Sequence, residues 1–227
     1  MNKIDPIMER ASESLAKMQY LDCESLCVEA LTIARDAKQW VAYCRILLPL
    51  QEARRQRRMI AADGAIRLGS KTLAGSPSDW LALQPEGCIV LTSPHDADVA
   101  KQLLSAARQQ QLYAQVLLAE ATDDVNWEIK SIASPEVSIT MPAPPTAAQD
   151  RWLQPDVADG VKKGSGVFSA ADWFVDATEA LGDAALQSVD KSLTGEAKVA
   201  AIEQCLEVVT DHEILHQRLA DAARELI

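Results

Sequence analysis

Residues 88–118 read CIVLTSPHDADVAKQLLSAARQQQLYAQVLL, and this stretch decides the class of the middle of the chain. Cys88-Ile89-Val90-Leu91-Thr92 is a short apolar run opened by Pro85-Glu86-Gly87, the pattern of a buried strand. Ser93-Pro94-His95-Asp96 then predicts a helix start: Ser93 as N-cap, Pro94 in the first turn, Asp96 completing a capping box. Val99, Leu103, Leu104 and Ala107 recur at helical spacing until about Gln111. Tyr113–Leu118 reads as a second strand, so the stretch is a βαβ-like unit. Trp127–Ile132 and Glu136–Thr140 alternate around Ser134-Pro135, as two further strands do. Together these make residues 63–148 a small α/β module.

On both sides the pattern is helical. Before the module, residues 1–62 carry Met8, Ala11, Leu15 and Met18 at helical spacing after Asp5-Pro6. Tyr20-Leu21-Asp22 interrupts them. A second helix is expected from Cys23 to about Lys38 and a third from about Trp40 to Ile60, kinked at Pro49. After Pro142–Pro145, residues 149–169 are turn-rich and read as a linker that wraps a surface or moves. Residues 170–227 predict three helices, near 170–188, 195–209 and 211–226. The fold class expected is mixed α+β, with helical segments flanking the α/β module.

Bulk properties narrow the function. The first twenty residues hold early acids and no continuous apolar stretch, so no secretion signal is read there. No apolar run approaches the roughly 18 residues of a membrane span. Five scattered cysteines without a CxxC pair read as reduced thiols of a cytoplasmic protein. The net charge of −11 is uneven: +2 over residues 1–62, −5 over 63–148 and −8 over 149–227. An acidic surface disfavours nucleic acid as a partner. Arg54-Arg55-Gln56-Arg57-Arg58 is the exception, with its arginines within roughly 160° of one helix face. We read that face as solvated or paired to acids, with an RNA patch as the alternative.

The helical ends resemble tetratricopeptide (TPR) repeats, antiparallel helix pairs of about 34 residues. In the N-terminal part the resemblance rests on Tyr20, Cys23, Cys27, Ala30 and Leu31. In the C-terminal part it rests on Asp211-His212, Leu215, Leu219-Ala220 and Ala222. The repeat's proline before the second helix is missing, with Thr210 near its place. It covers about half the chain. The order of elements, with ALGDAAL (180–186) and a closing DHEILHQRLADA (211–222), is similar to that of a group of planctomycete-type bacterial proteins. The resemblance implies an architecture and no activity.

TDHEILH (210–216) is the sharpest chemical motif, because His212, Glu213 and His216 spell the zinc-peptidase H-E-x-x-H. Two histidines one turn apart hold a zinc ion there, and the glutamate activates a water. The competing reading is a capping box, Thr210 capping a helix and Glu213 reaching back, with the histidines at the edge of the stripe Leu215, Leu219, Ala222, Leu226. A catalytic zinc needs a third protein ligand. The extended zinc motif fails at Leu219 and Ala222, which leaves an upstream residue such as His95. We take the capping reading and expect no metal and no cofactor. A second possible site is the helix start near Ser93, where α/β folds bind anions. It lacks glycines, and Asp96 and Asp98 would repel phosphate; a metal held by His95, Asp96 and Asp98 is weighed against an ordinary acidic first turn. Gly164-Ser165-Gly166 after Lys162-Lys163 reads as flexible chain, and Cys23 with Cys27 as small core residues. The expectation is a non-enzymatic interaction or scaffold protein with a protein partner or a second copy of itself. A zinc-dependent hydrolase and a small-ligand module at Ser93 stand as alternatives. Neither helical end can bury its apolar face alone, so the ends must pack on each other, on the module or on a second subunit.

Overall fold

The computed structural model describes residues 3–68, 76, 79, 81, 86–93, 96–123, 125–144, 152–153, 162–163, 166–167 and 170–227. They form a mixed α and β fold in two compact units, residues 1–57 with 189–227, and residues 58–188.

The first unit is helical. It holds α1 (Ile4–Ala16), α2 (Tyr20–Asp36), the body of α3 (Trp40–Asp63), and two C-terminal helices, α6 (Gly195–Val208) and α7 (Glu213–Arg224). Three-residue connections make α1, α2 and α3 antiparallel neighbours. Ala11, Cys23, Cys27, Ala30 and Ala34 are wholly buried, and side chains this small let helices approach closely. Both connections use one device. Met18 and Lys38 are left-handed, at φ 59° and 52°. The Met18 amide donates to the Leu15 carbonyl and the Gln19 amide to Ser14, as Lys38 does to Arg35 and Gln39 to Ala34, at 2.8–3.0 Å. These are Schellman ends, which satisfy the last helical carbonyls. The first lies at 17–19, so α2 begins at Tyr20 and the break expected at Tyr20–Asp22 falls three residues early. Pro49 stands inside α3, which continues past it.

The two chain ends pack on one another. The Tyr43 hydroxyl donates to Glu203 at 2.6 Å, Lys38 pairs with Glu196 at 2.6 Å, and the Cys44 thiol reaches the Ala220 carbonyl at 3.9 Å. The apolar arc of α6 is buried within the unit through Val199, Ile202, Cys205 and Leu206.

The second unit is a sheet with helices. β1 (Ala65–Leu68), β2 (Gly87–Leu91), β3 (Ala114–Ala121), β4 (Asn126–Lys130), β5 (Ser138–Pro142) and β6 (Trp152–Leu153) lie in the order β5-β4-β3-β2-β1-β6. β1, β2 and β3 are mutually parallel, and the other pairings are antiparallel. α4 (Ala97–Gln109) joins β2 to β3. It buries Ala100, Leu103 and Ala107 against Ile89, Leu91 and Val116. α5 (Ala170–Gln187) belongs to this unit: Trp173 meets Trp127 edge-on at 6.2 Å and donates its indole N–H to the Pro142 carbonyl at 2.8 Å. Gly64 turns the chain from α3 into β1, where a Cβ would lie 2.5 Å from the Glu86 carbonyl oxygen. Only glycine tolerates that approach. Within the stretch expected as a linker, β6 extends the sheet, and β7 (Lys162–Lys163) pairs with β8 (Gly166–Val167).

Candidate functional site

The residues of greatest chemical interest meet in the first unit, where α7 starts beside α2 and α3. α6 ends at Val208, and the His212 amide donates to the Val209 carbonyl at 3.2 Å. His212 is then the N-cap of α7: its backbone is extended, and its Nδ1 accepts the Leu215 amide at 3.2 Å. This corrects the expectation of Thr210 as cap and Glu213 as its capping-box partner. Thr210 instead supplies a carbonyl that accepts from His216 Nε2 at 3.0 Å. Glu213 is exposed and accepts from Gln217 at 3.1 Å. The imidazole takes the cap because it is buried and therefore must find a partner for its lone pair, whereas a threonine hydroxyl can be left to water.

These bonds set the tautomers. A ring whose Nδ1 accepts an amide carries its proton on Nε2, and a ring whose Nε2 donates to a carbonyl does so as well. Zinc bound through both Nε2 atoms would require each ring to change tautomer and give up its bond. His212 also lies outside the helix rather than one turn before His216 within it, and Glu213 points to solvent. The arrangement the H-E-x-x-H reading needs is therefore not formed. Among the described residues, no group of three or more His, Cys, Asp or Glu side chains could hold a metal ion. His95, the upstream candidate, lies outside the described residues.

Both rings are buried, His212 at 0% and His216 at 1% exposure. Burial, seconded by the charge of Arg54, lowers the His216 pKa from 6.5 to about 4. His216 Nδ1 is buried with no hydrogen-bond partner among the described residues. Beside it Glu24, 1% exposed on α2, accepts from Arg54 Nε at 3.0 Å and is also bridged by Arg57. Glu24 was not read from the sequence as a site residue. The available signal was its place among Leu21, Cys27 and Val28, an acid on the apolar face of a helix.

The arginine run is spoken for along its length. Arg54 and Arg57 meet Glu24, Arg55 holds Glu52 through two bonds at 3.0 and 3.1 Å, and Arg58 pairs with Glu179. A second polar chain lies between α2, α3 and α6, where Arg35 pairs with Glu203, which Tyr43 also contacts. Burial pushes the Glu203 carboxyl and the Tyr43 hydroxyl up from their ordinary values, the Glu203 charge raising Tyr43 further.

At the other candidate, Asp96 is the N-cap of α4 and accepts from the Asp98 and Val99 amides at 3.0 and 3.1 Å. Ser93, expected as the cap, is an exposed turn residue. The amides a phosphate would use are thus held by a carboxylate of the chain itself.

Two open clefts mark the first unit. One, of about 750 Å³, runs between α1, α3 and the C-terminal residues Leu226 and Ile227; Ile4, Met8, Val41 and Pro49 wall it, Asp5 also lines it, and Lys38 and Arg45 stand at its rim. The other, of about 410 Å³, lies over Tyr43 and Glu203. No protein family, curated protein or solved structure matches the chain. No helix among the described residues is long and apolar enough to cross a membrane.

Proposed function

We propose that this chain is a non-enzymatic protein-interaction component whose first unit, built of TPR-like helix pairs, receives an extended segment of a partner protein between α1 and α3. The observation that carries the reading is the open 750 Å³ cleft there. Its walls leave apolar surface in water, with Val41 57% exposed. Arg45 at its rim makes no ion pair with any described residue. Lys38, also at the rim, is paired only at the surface with Glu196. The occupant that fits is a segment carrying apolar side chains and a carboxylate. The antiparallel α1–α2 pair, with small buried residues at its crossing, supports the repeat-like reading. The bonds of the two histidines, whose Nε2 atoms carry protons, weigh against the zinc-hydrolase alternative at the H-E-x-x-H stretch.

Selection from a displayed peptide library tests this. The expected outcome is enrichment of apolar, acidic sequences. Their binding should fall at least tenfold in Val41→Asp and Arg45→Glu, with the melting temperature within about 2 °C of the parent, since both positions are at the surface. No enrichment, or binding indifferent to both substitutions, overturns the reading.

A further inference from the structure

The sheet of the second unit ends in an edge whose free groups can be named. β5 is the outer strand and is bonded on one side to β4. In an antiparallel pair, alternate residues turn their N–H and C=O toward the partner and the others turn them away. The Ser131 amide donates to the Val137 carbonyl at 2.9 Å and the Ala143 amide to Val125 at 2.7 Å. With Ile139 opposite Ile129 and Met141 opposite Trp127, the inward set is Val137, Ile139, Met141 and Ala143. Ser138, Thr140 and Pro142 face outward. Pro142 has no amide hydrogen, and its carbonyl accepts from Trp173. The edge is therefore closed at that end. Ser138 and Thr140 remain, both exposed, and no backbone hydrogen bond to the outward amide or carbonyl of either is formed among the described residues.

The side chains sort the same way. Val137, Ile139 and Met141 are half-buried and share one face of the strand, while Ser138 and Thr140 occupy the other. Nothing from Val137 to Pro142 is charged, in a chain of net charge −11. Sheet edges that stay single are guarded by charge, proline or a covering element, and here Pro142 with Trp173 guards one end while Ser138 and Thr140 carry no such guard.

We propose that β5 is the interface for a second copy of this chain, added antiparallel across a two-fold axis at Ile139. Ser138 then stands opposite Thr140 of the partner subunit, and each such pair exchanges both N–H···O bonds. Ile139 meets the partner's Ile139, and Val137 meets the partner's Met141, with Cβ atoms about 4.5–5.5 Å apart. Polar residues face polar ones, apolar residues face apolar ones, and no like charges oppose each other. A copy presents the same uncharged stretch and so brings no acidic side chain against it, although the chain as a whole carries −11; Pro142 and Trp173 confine the ladder to Ser138 and Thr140 on both sides. A two-fold copy uses the same short patch from both sides and closes on itself. This interface lies wholly in the second unit and stands independently of the cleft between α1 and α3.

Light scattering on the full chain tests it. The mass is expected to be twice 24.7 kDa at high micromolar concentration and to fall toward the single-chain value on dilution. Thr140→Pro removes an outward amide and no bond to β4, so it should halve the mass at unchanged circular dichroism; Thr140→Val should leave the mass doubled. If Thr140→Pro does not fold, cross-linking decides. In a Cys44→Ser background, Ile139→Cys should give a disulfide-linked dimer under mild oxidation and Thr140→Cys should not. A monomer at every concentration overturns the proposal. So does a dimer that survives Thr140→Pro and does not cross-link through Ile139→Cys, or a monomer that adds extended peptides at β5.

Discussion

His216 shows how one side chain can link stability to pH. Its ring is held neutral by burial and by Arg54, with Glu24 and the His212 ring as its other charged or titratable neighbours, and its pKa is lowered to about 4. Between about pH 6.5 and 4 the unfolded chain binds a proton at this position and the folded chain does not. Stability contributed by the neutral ring is therefore fully present above pH 6.5 and is lost as pH falls toward 4. The full effect is at most about 3.5 kcal/mol, at about 1.4 kcal/mol per pH unit over the roughly 2.5 pH units between 6.5 and about 4. Urea unfolding midpoints at pH 7, 6, 5 and 4 check it: the wild type should lose stability more steeply than His216→Asn. Equal slopes would show that the ring does not titrate in this window. The variant itself should start about 1–2 kcal/mol lower at pH 7, from lost packing and the lost bond to the Thr210 carbonyl.

At the scale of the element, the helices end more expensively than they need to. Met18, Lys38 and Gln111 sit at φ 59°, 52° and 57°, a region costing a residue with a Cβ roughly 1 kcal/mol relative to glycine. Gln111 closes α4 in the same way, with bonds from its own amide to Arg108 and from the Leu112 amide to Ala107. Met18→Gly and Lys38→Gly should thus each raise stability, by about 0.5–1 kcal/mol. Neither side chain is needed in the core, since Met18 is 68% exposed and the Lys38–Glu196 pair is at the surface. Thermal melts of the single and double variants decide; a lowered melting point in both singles would mean that the turns are not left-handed. The starts of α4 and α7 illustrate a different point. Their helical stripes were legible from Val99, Leu103 and Ala107, and from Leu215, Leu219 and Ala222. Their caps were displaced from Ser93 to Asp96 and from Thr210 to His212. Several residues at each start have capping chemistry, and the backbone turn before the helix selects among them.

For the whole molecule, charge pairing governs what the surface can bind. The net charge is −11, and the arginine run that would attract a phosphate backbone already meets Glu24, Glu52 and Glu179. Fluorescence anisotropy with a single-stranded RNA at 0.15 M salt should therefore show no saturable binding at micromolar protein, where several free phosphate contacts would give a strongly salt-dependent curve. A binding curve abolished by Arg55→Glu would show that the surface pair with Glu52 opens to RNA.

Sequence alone determined the kinds of element and most of their extents. The βαβ unit of residues 88–118, the strands around Ser134-Pro135 and the helices of both ends are written in the spacing of apolar residues, which depends on neighbours within one turn or two strand positions. β1, β6, β7 and β8 were missed: four residues long for β1 and two for each of the others, they are too short to carry a period. Only the tertiary structure decided the partners. Glu24 lies 30 and 33 residues from Arg54 and Arg57, and Glu179 lies 121 from Arg58, so no local pattern marks which acid each guanidinium meets. The same holds for the two chain ends, joined through Tyr43 and Glu203, and for α5, drawn to the sheet by Trp173. In H-E-x-x-H the residue spacing is that of a zinc site, yet the preceding turn places His212 outside the helix. Burial then turns its lone pair to an amide, because an unbonded polar atom in the interior costs more than the local pattern can offset.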